Sequence, residues 1–210
     1  MKKIYTLLFA ILLAFSSYSQ VSFCEDFESF IVGDPIVQTS SSWNSWDELM
    51  NGATAPFIDD ALVNSNQSSS GSNSLFFPAT AAAGPEDVVL MFDPTLNITQ
   101  ANLSSLSTPY IVGDLTFSQM MYVRSGGGAY FNFQAENTPG VSWALEVNFD
   151  AAGDIIMSNT SGTSFTSAFP FDTWFEIKFE IDLSNNDWEV LIDGVSQGSF
   201  ANTINQIASL

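Results

Sequence analysis

Between Trp174 and Leu183 apolar and polar side chains alternate without interruption: Phe175, Ile177, Phe179, Ile181 and Leu183 fall between Trp174, Glu176, Lys178, Glu180 and Asp182. A period of two with one apolar face predicts a half-buried antiparallel strand. The turn cluster Ser184-Asn185-Asn186-Asp187 follows, then Trp188–Ile192 and Asp193-Gly194, so the two segments read as a hairpin closed by a second turn. Comparable segments are Leu115–Arg124, Ala129–Ala135 and Ser142–Phe149, parted by Ser125-Gly126-Gly127-Gly128 and Thr138-Pro139-Gly140. Shorter candidates are Phe23–Phe27, Asp60–Asn64, Ser74–Phe77, Val88–Phe92, Asp154–Met157 and Thr163–Phe169. The one helix-like stretch, Thr99–Leu106, is rich in Ser and Asn and is given a single turn at most. Many short strands with polar turns predict an all-β chain folded as a two-sheet antiparallel sandwich. The serine-rich tracts Thr39–Ser42 and Ser65–Ser74 read as loops, and no repeat or hinge divides the chain.

The N-terminus reads as a processing segment. Lys2 and Lys3 precede an apolar run from Ile4 to Phe15, then Ser17-Tyr18-Ser19. That run is shorter than the roughly 20 residues a membrane helix needs, and small residues flank a cleavage position before Gln20. Residues 1–19 are therefore expected to be a signal peptide and residues 20–210 a single exported domain. Val21-Ser22-Phe23 before Cys24 does not resemble a lipobox, so export without a lipid anchor or membrane insertion is expected.

Composition closes off several chemistries. The chain has no His, which excludes Ser-His-Asp and Cys-His catalysis and His-ligated zinc within it, and its one Cys excludes an intrachain disulfide or a Cys-rich metal knuckle. Cleavage would leave Arg124 and Lys178 against 23 Asp and Glu, a net charge of −21. A surface of that sign repels nucleic acid and anionic membranes. It suits high salt or divalent cations, or simply serves solubility. About 190 residues bury a substantial core as one β domain.

Three segments together resemble the concanavalin A-like lectin/glucanase superfamily, especially its laminin-G-like and MAM-like domains. The first is Phe23-Cys24-Glu25-Asp26-Phe27-Glu28, similar to an opening "DFE" strand. The second runs from Asp59-Asp60-Ala61-Leu62-Val63 through Ser70-Gly71-Ser72-Asn73-Ser74-Leu75, similar to an acidic strand followed by "SG-x-x-S-L". The third is Trp174–Asp182 running into Trp188–Gly194, similar to the "W-x-x-I…D…I-D-G" hairpin. The resemblance implies a jelly roll. Such domains usually close with a strand carrying paired acids, whereas this sequence stops at Ile207-Ala208-Ser209-Leu210. If the chain is truncated there, one sheet edge would be left open. Proteins of this look often continue into a C-terminal domain for type IX secretion, which implies a larger exported parent.

The resemblance also directs attention to three sites. Laminarinase-type relatives carry their nucleophile and acid as "E-x-D-x-E" on one strand; here Glu176 and Glu180 flank Lys178, and the reading is a solvated face rather than a catalytic pair. Calcium is a candidate structural cofactor, with ordinary surface acids as the alternative: Asp26 and Glu28 would share a face of the opening strand and Asp60, with Asp59, would approach from its neighbour, all hard oxygen ligands. Sugar recognition needs a flat aromatic ring with amides and carboxylates around it. Trp43, Trp46 and Trp174 lie in polar surroundings and are the candidates, with core or rim packing as the alternative for each; Trp43 and Trp46, three apart, cannot share a strand face. Cys24 reads as a buried free thiol, or as the partner of a Cys elsewhere in a parent protein.

The sequence thus points to a secreted, extracellular or cell-surface module that binds glycan or another surface component without catalysis. A polysaccharide-degrading enzyme of the same fold and a purely structural domain are the alternatives.

Overall fold

The computed structural model describes residues 22–78, 86–92, 109–160 and 162–210. They form an all-β, two-sheet antiparallel sandwich with two short helices. The N-terminal third contributes α1 (Ile36–Thr39), β1 (Trp43–Ser45), α2 (Trp46–Asn51), β2 (Leu62–Asn64), β3 (Ser74–Phe76) and β4 (Val88–Leu90). The longer strands follow: β5 (Asp114–Tyr122), β6 (Ala129–Gln134), β7 (Trp143–Phe149), β8 (Asp154–Asn159), β9 (Gly162–Ala168), β10 (Trp174–Asp182), β11 (Asp187–Ile192) and β12 (Val195–Phe200).

The first sheet has the order β12-β11-β10-β5 and the second β6-β7-β8-β9. The last four residues extend the second sheet. Leu210 and Leu90 exchange backbone hydrogen bonds of 3.0 Å, and Ser209 bridges to Met91 on one side and to Gln134 on the other. The β1–β4 pair is thereby joined to β6 through the C-terminal segment.

Alternation along each strand sends one set of side chains into the space between the sheets. Phe175, Ile177, Phe179 and Ile181 of β10 and Trp188, Val190 and Ile192 of β11 meet Phe133, Leu145, Val147, Phe149, Ile155 and Met157 of the other sheet. Phe133 is the centre of this core. Its ring stands edge-on to Phe179 at 5.1 Å, to Phe117 at 5.3 Å and to Trp188 at 5.8 Å, arrangements that match the positive edge of one ring to the negative face of the next. Burying Trp188 costs no orphaned donor, because its Nε1 donates to Asn205 at 3.0 Å. A smaller core of Ile36, Val37, Ala61 and Val63 lies under the N-terminal hairpin, and Leu49, Val89 and Met91 form a third beside α2.

The expected opening strand is absent. Residues 23–26 are irregular and residues 27–30 turn, with Phe27 left-handed at φ 62°. The acids themselves break the strand: the Glu25 carboxylate accepts the Phe27 N–H at 2.8 Å and Asp26 accepts that of Glu28 at 3.0 Å, so the backbone bonds locally instead of to a neighbour. Cys24, expected to be buried on that strand, is exposed. Four elements lay outside the sequence expectation: α1, β1, α2 and β12. Helix α2 is capped by Ser45, whose hydroxyl accepts the Glu48 N–H at 3.1 Å, and ends in a left-handed Gly52. Strand β12 is an edge strand, exposed at most positions. The turn assigned to Thr99–Leu106 lies outside the described residues.

Candidate functional site

The outer face of the second sheet gathers the side chains best suited to hold a polar ligand. Because Phe131 and Phe133 of β6 point into the core, Tyr130, Asn132 and Gln134 point away from it; on β7 the core residues Val147 and Phe149 leave Glu146 and Asn148 on that same outer side. The pairing places Tyr130 beside Asn148 and Ile156 in one row, and Asn132 beside Glu146 and Ser158 in the next. A bulge after Phe133 brings Trp143, rather than Ala144, opposite Gln134 at the end of the face.

Two hydrogen-bonded groups lie along this line of side chains. The Gly140 N–H donates to Oε1 of the buried Gln134 at 2.9 Å and Gln134 Nε2 donates to Asn132 Oδ1 at 2.5 Å, while the Tyr130 hydroxyl donates to Glu146 Oε1 at 3.2 Å. The first pair of bonds fixes the orientation of the Asn132 amide before any ligand arrives. Tyr130 remains 49% exposed, the one half-exposed aromatic residue of this group. Helix α2 supports the far end, where Trp46 lies against Gly140 so closely that a Cβ there would come within 2.8 Å of the indole Cη2. Gly140 also has φ 80°, a left-handed conformation that side chains disfavour.

Negative charge surrounds the face. Burial, then the Glu146 carboxylate, push the Tyr130 phenol up to about 12, against the opposing hydrogen bond from Asn132, and the charge of Asp87 adds to the rise. Asp87 itself is raised to about 6, first by loss of solvation at its carboxyl and then by Asp59 and Asp47, although the residue as a whole keeps substantial solvent contact. Glu48 is raised by burial and by Asp59. At the centre of this group the buried Asp59 accepts the Ser45 hydroxyl at 2.6 Å and the Asp47 N–H at 2.8 Å, tying β1, α2 and the approach to β4 together.

The residues singled out from sequence are dispersed. Trp43, on β1, is half-buried against Phe27 with ring centroids 6.4 Å apart, and its indole nitrogen is buried without a partner. Trp46 is half-buried and packs on Leu49, Val89 and Met91 while bracing Gly140. Trp174 is on the outer face of the first sheet, 5.6 Å from the Tyr122 ring. The three do not form one platform; of them, Trp46 alone touches the candidate face, from its supporting end.

Glu176 and Glu180 share the outer face of β10, but Lys178 stands between them and pairs with Glu180. Four residues along a regular strand separate their backbones by ~13 Å, far beyond the ~5–5.5 Å between carboxyls of a retaining glycosidase. A shallow depression of about 270 Å³ on this face is lined by Glu180, Glu189, Asp114, Asp182 and Asp187 among others, and Glu176 is not part of it. Asp26 accepts the backbone N–H of Glu28 in its own turn. Glu28 in turn accepts the N–H groups of Ser72 and Asn73 at 2.8 and 2.7 Å, pinning the serine-rich loop. Asp60 is buried and accepts the Val37 N–H at 2.9 Å at the start of α1. Each carboxylate expected to bind calcium is thus engaged by backbone donors, and among the described residues no three acidic or Cys side chains converge as a metal site.

No protein-family model matches the chain, and no curated protein matches it either. Among solved structures, sheep galectin-11 in complex with glycerol is similar over 50% of this chain and 88% of that one, at 13% identity and a TM-score of 0.34. Among the described residues no helix is long and apolar enough to cross a membrane.

Proposed function

We propose that this chain is a secreted, non-catalytic carbohydrate-binding module and that the outer face of the second sheet contacts the glycan. The observation that carries this reading is the group Asn132, Tyr130 and Glu146 on one sheet face, in which a half-exposed aromatic residue stands beside an amide oriented by the buried Gln134 and a carboxylate. A sugar presents an apolar face to such a ring and hydroxyls to such amides, and few residues are needed to fix its orientation. Export rests on the Lys2–Ser19 segment, and attachment to a larger surface or exported protein follows from the sequence resemblance. The hydrolase alternative has less support, because Glu176 and Glu180 are held apart with Lys178 between them.

Retention of the protein on a panel of insoluble polysaccharides tests the proposal. Tyr130→Ala is expected to abolish retention on whichever polymer holds the native protein, with the melting transition preserved. Equal retention of the two would overturn it.

A further inference from the structure

We infer that this face selects glycans bearing free amines, of the polyglucosamine kind, over their acetylated and anionic counterparts. The inference rests on the glycan-binding reading above and adds a ligand class to it.

Charge beside an aromatic ring favours one class of sugar. Two cations remain outside the expected signal segment, Lys178 and Arg124. Lys178 points from the outer face of the opposite sheet and is already paired with Glu180, and Arg124 follows β5 in the other sheet. The candidate face therefore offers no counter-charge to a uronate or sulfate, which would meet Glu146 and the field of Asp87 instead. An ammonium group meets the opposite situation. Glu146 holds the Tyr130 hydroxyl through Oε1, with no protein donor on its other oxygen among the described residues, and the half-exposed aromatic ring beside it attracts a cation through its quadrupole. A sugar ring stacked on Tyr130 with its amine directed at Glu146 uses both groups at once, and the Asn132 amide is held in place to take an adjacent hydroxyl. Acetylating the amine removes the charge while keeping the sugar ring, so the pair of ligands isolates this one contact.

The full chain is titrated with glucosamine oligosaccharides and with the matching N-acetylglucosamine oligosaccharides. The amine form is expected to bind about tenfold more tightly, the scale of one charge-assisted hydrogen bond. Glu146→Gln is expected to bring the ratio close to one, and Tyr130→Phe, which keeps the ring, to retain a preference. A double Glu180→Gln, Glu189→Gln variant on the other sheet is expected to leave the ratio as in the native protein. Equal affinity for both ligands would overturn the amine preference and leave the glycan-binding reading standing, whereas binding of neither, together with no polysaccharide retention, would overturn both. A preference that survives Glu146→Gln and disappears in the Glu180/Glu189 variant would place polycation binding on the acidic first sheet and refute the inference.

Discussion

The Tyr130 hydroxyl donates to Glu146 across the β6–β7 pair, on a diagonal: the residue directly opposite Tyr130 is Asn148, and the one opposite Asn132 is Glu146. That diagonal bond fixes the hydroxyl end of Tyr130 while the residue stays half-exposed. A phenol held at about 12 stays protonated across the physiological range, so it remains a donor to Glu146 wherever the protein works.

The far end of the line depends on Gly140. Gly140→Ala places a Cβ within 2.8 Å of the Trp46 ring at a left-handed position, and should destabilise the fold by about 1–2 kcal/mol from the backbone alone. Thermal melts of the single variant, and of a double variant with Trp46→Ala, check this. Partial recovery in the double variant is expected, because the collision is with that ring.

Phe133 is buried among Phe179, Phe117 and Trp188. Phe133→Ala should cost about 3–5 kcal/mol, as removal of a fully buried ring does, and denaturant unfolding will measure it. A loss under about 1 kcal/mol would mean that this ring is not the centre of the core.

Ser45 serves two partners with one hydroxyl, donating to Asp59 and accepting from Glu48. Ser45→Ala removes a helix cap and leaves the buried Asp59 with one donor fewer, so a loss of about 2 kcal/mol is expected in the same unfolding assay. Ser45→Thr should recover part of it.

Asp87 has a folded-state value of about 6 against an ordinary carboxyl at 3.8. Between those values the unfolded chain has released a proton that the folded chain still holds, so this group makes stability fall as pH rises from about 4 to about 6. Above that window the destabilisation is constant. Asp87→Asn should flatten this slope and raise stability at pH 7, by no more than about 1 kcal/mol because solvent screens an exposed residue. Melting temperature as a function of pH checks both the sign and the window.

Much of the sandwich was legible because a sheet with one buried face imposes a period of two on its strands. β5, β6, β7, β10 and β11 carry that signature plainly, and their structural bounds lie within a residue or two of the alternating segments. β12 carries none, since an edge strand exposed at Val195, Ser196 and Gln197 presents only Gly198 and Phe200 towards the core, too few positions to write an alternation. Helix α2 did leave a signal: Ser45-x-x-Glu48 followed by Gly52 has the form of a capped helix. At six residues it is too short to write a helical period of apolar positions into the sequence. The opening strand failed for the opposite reason, because Glu25 and Asp26 bond the local backbone more effectively than a neighbouring strand does. The candidate face was half visible. The alternation Tyr130-Phe131-Asn132-Phe133-Gln134 shows which β6 side chains point outward, but the presence of Glu146 beside Tyr130 depends on the register of two strands, which no single segment encodes.

The most direct measurement of the central claim is to map backbone amide shifts in the isotopically labelled protein as glucosamine and N-acetylglucosamine tetramers are added. The account predicts saturable perturbations concentrated on residues 130–134, 143–148 and 156–158, and their loss in Tyr130→Ala. Perturbations confined to β10 and β11, around Glu180 and Glu189, would contradict it.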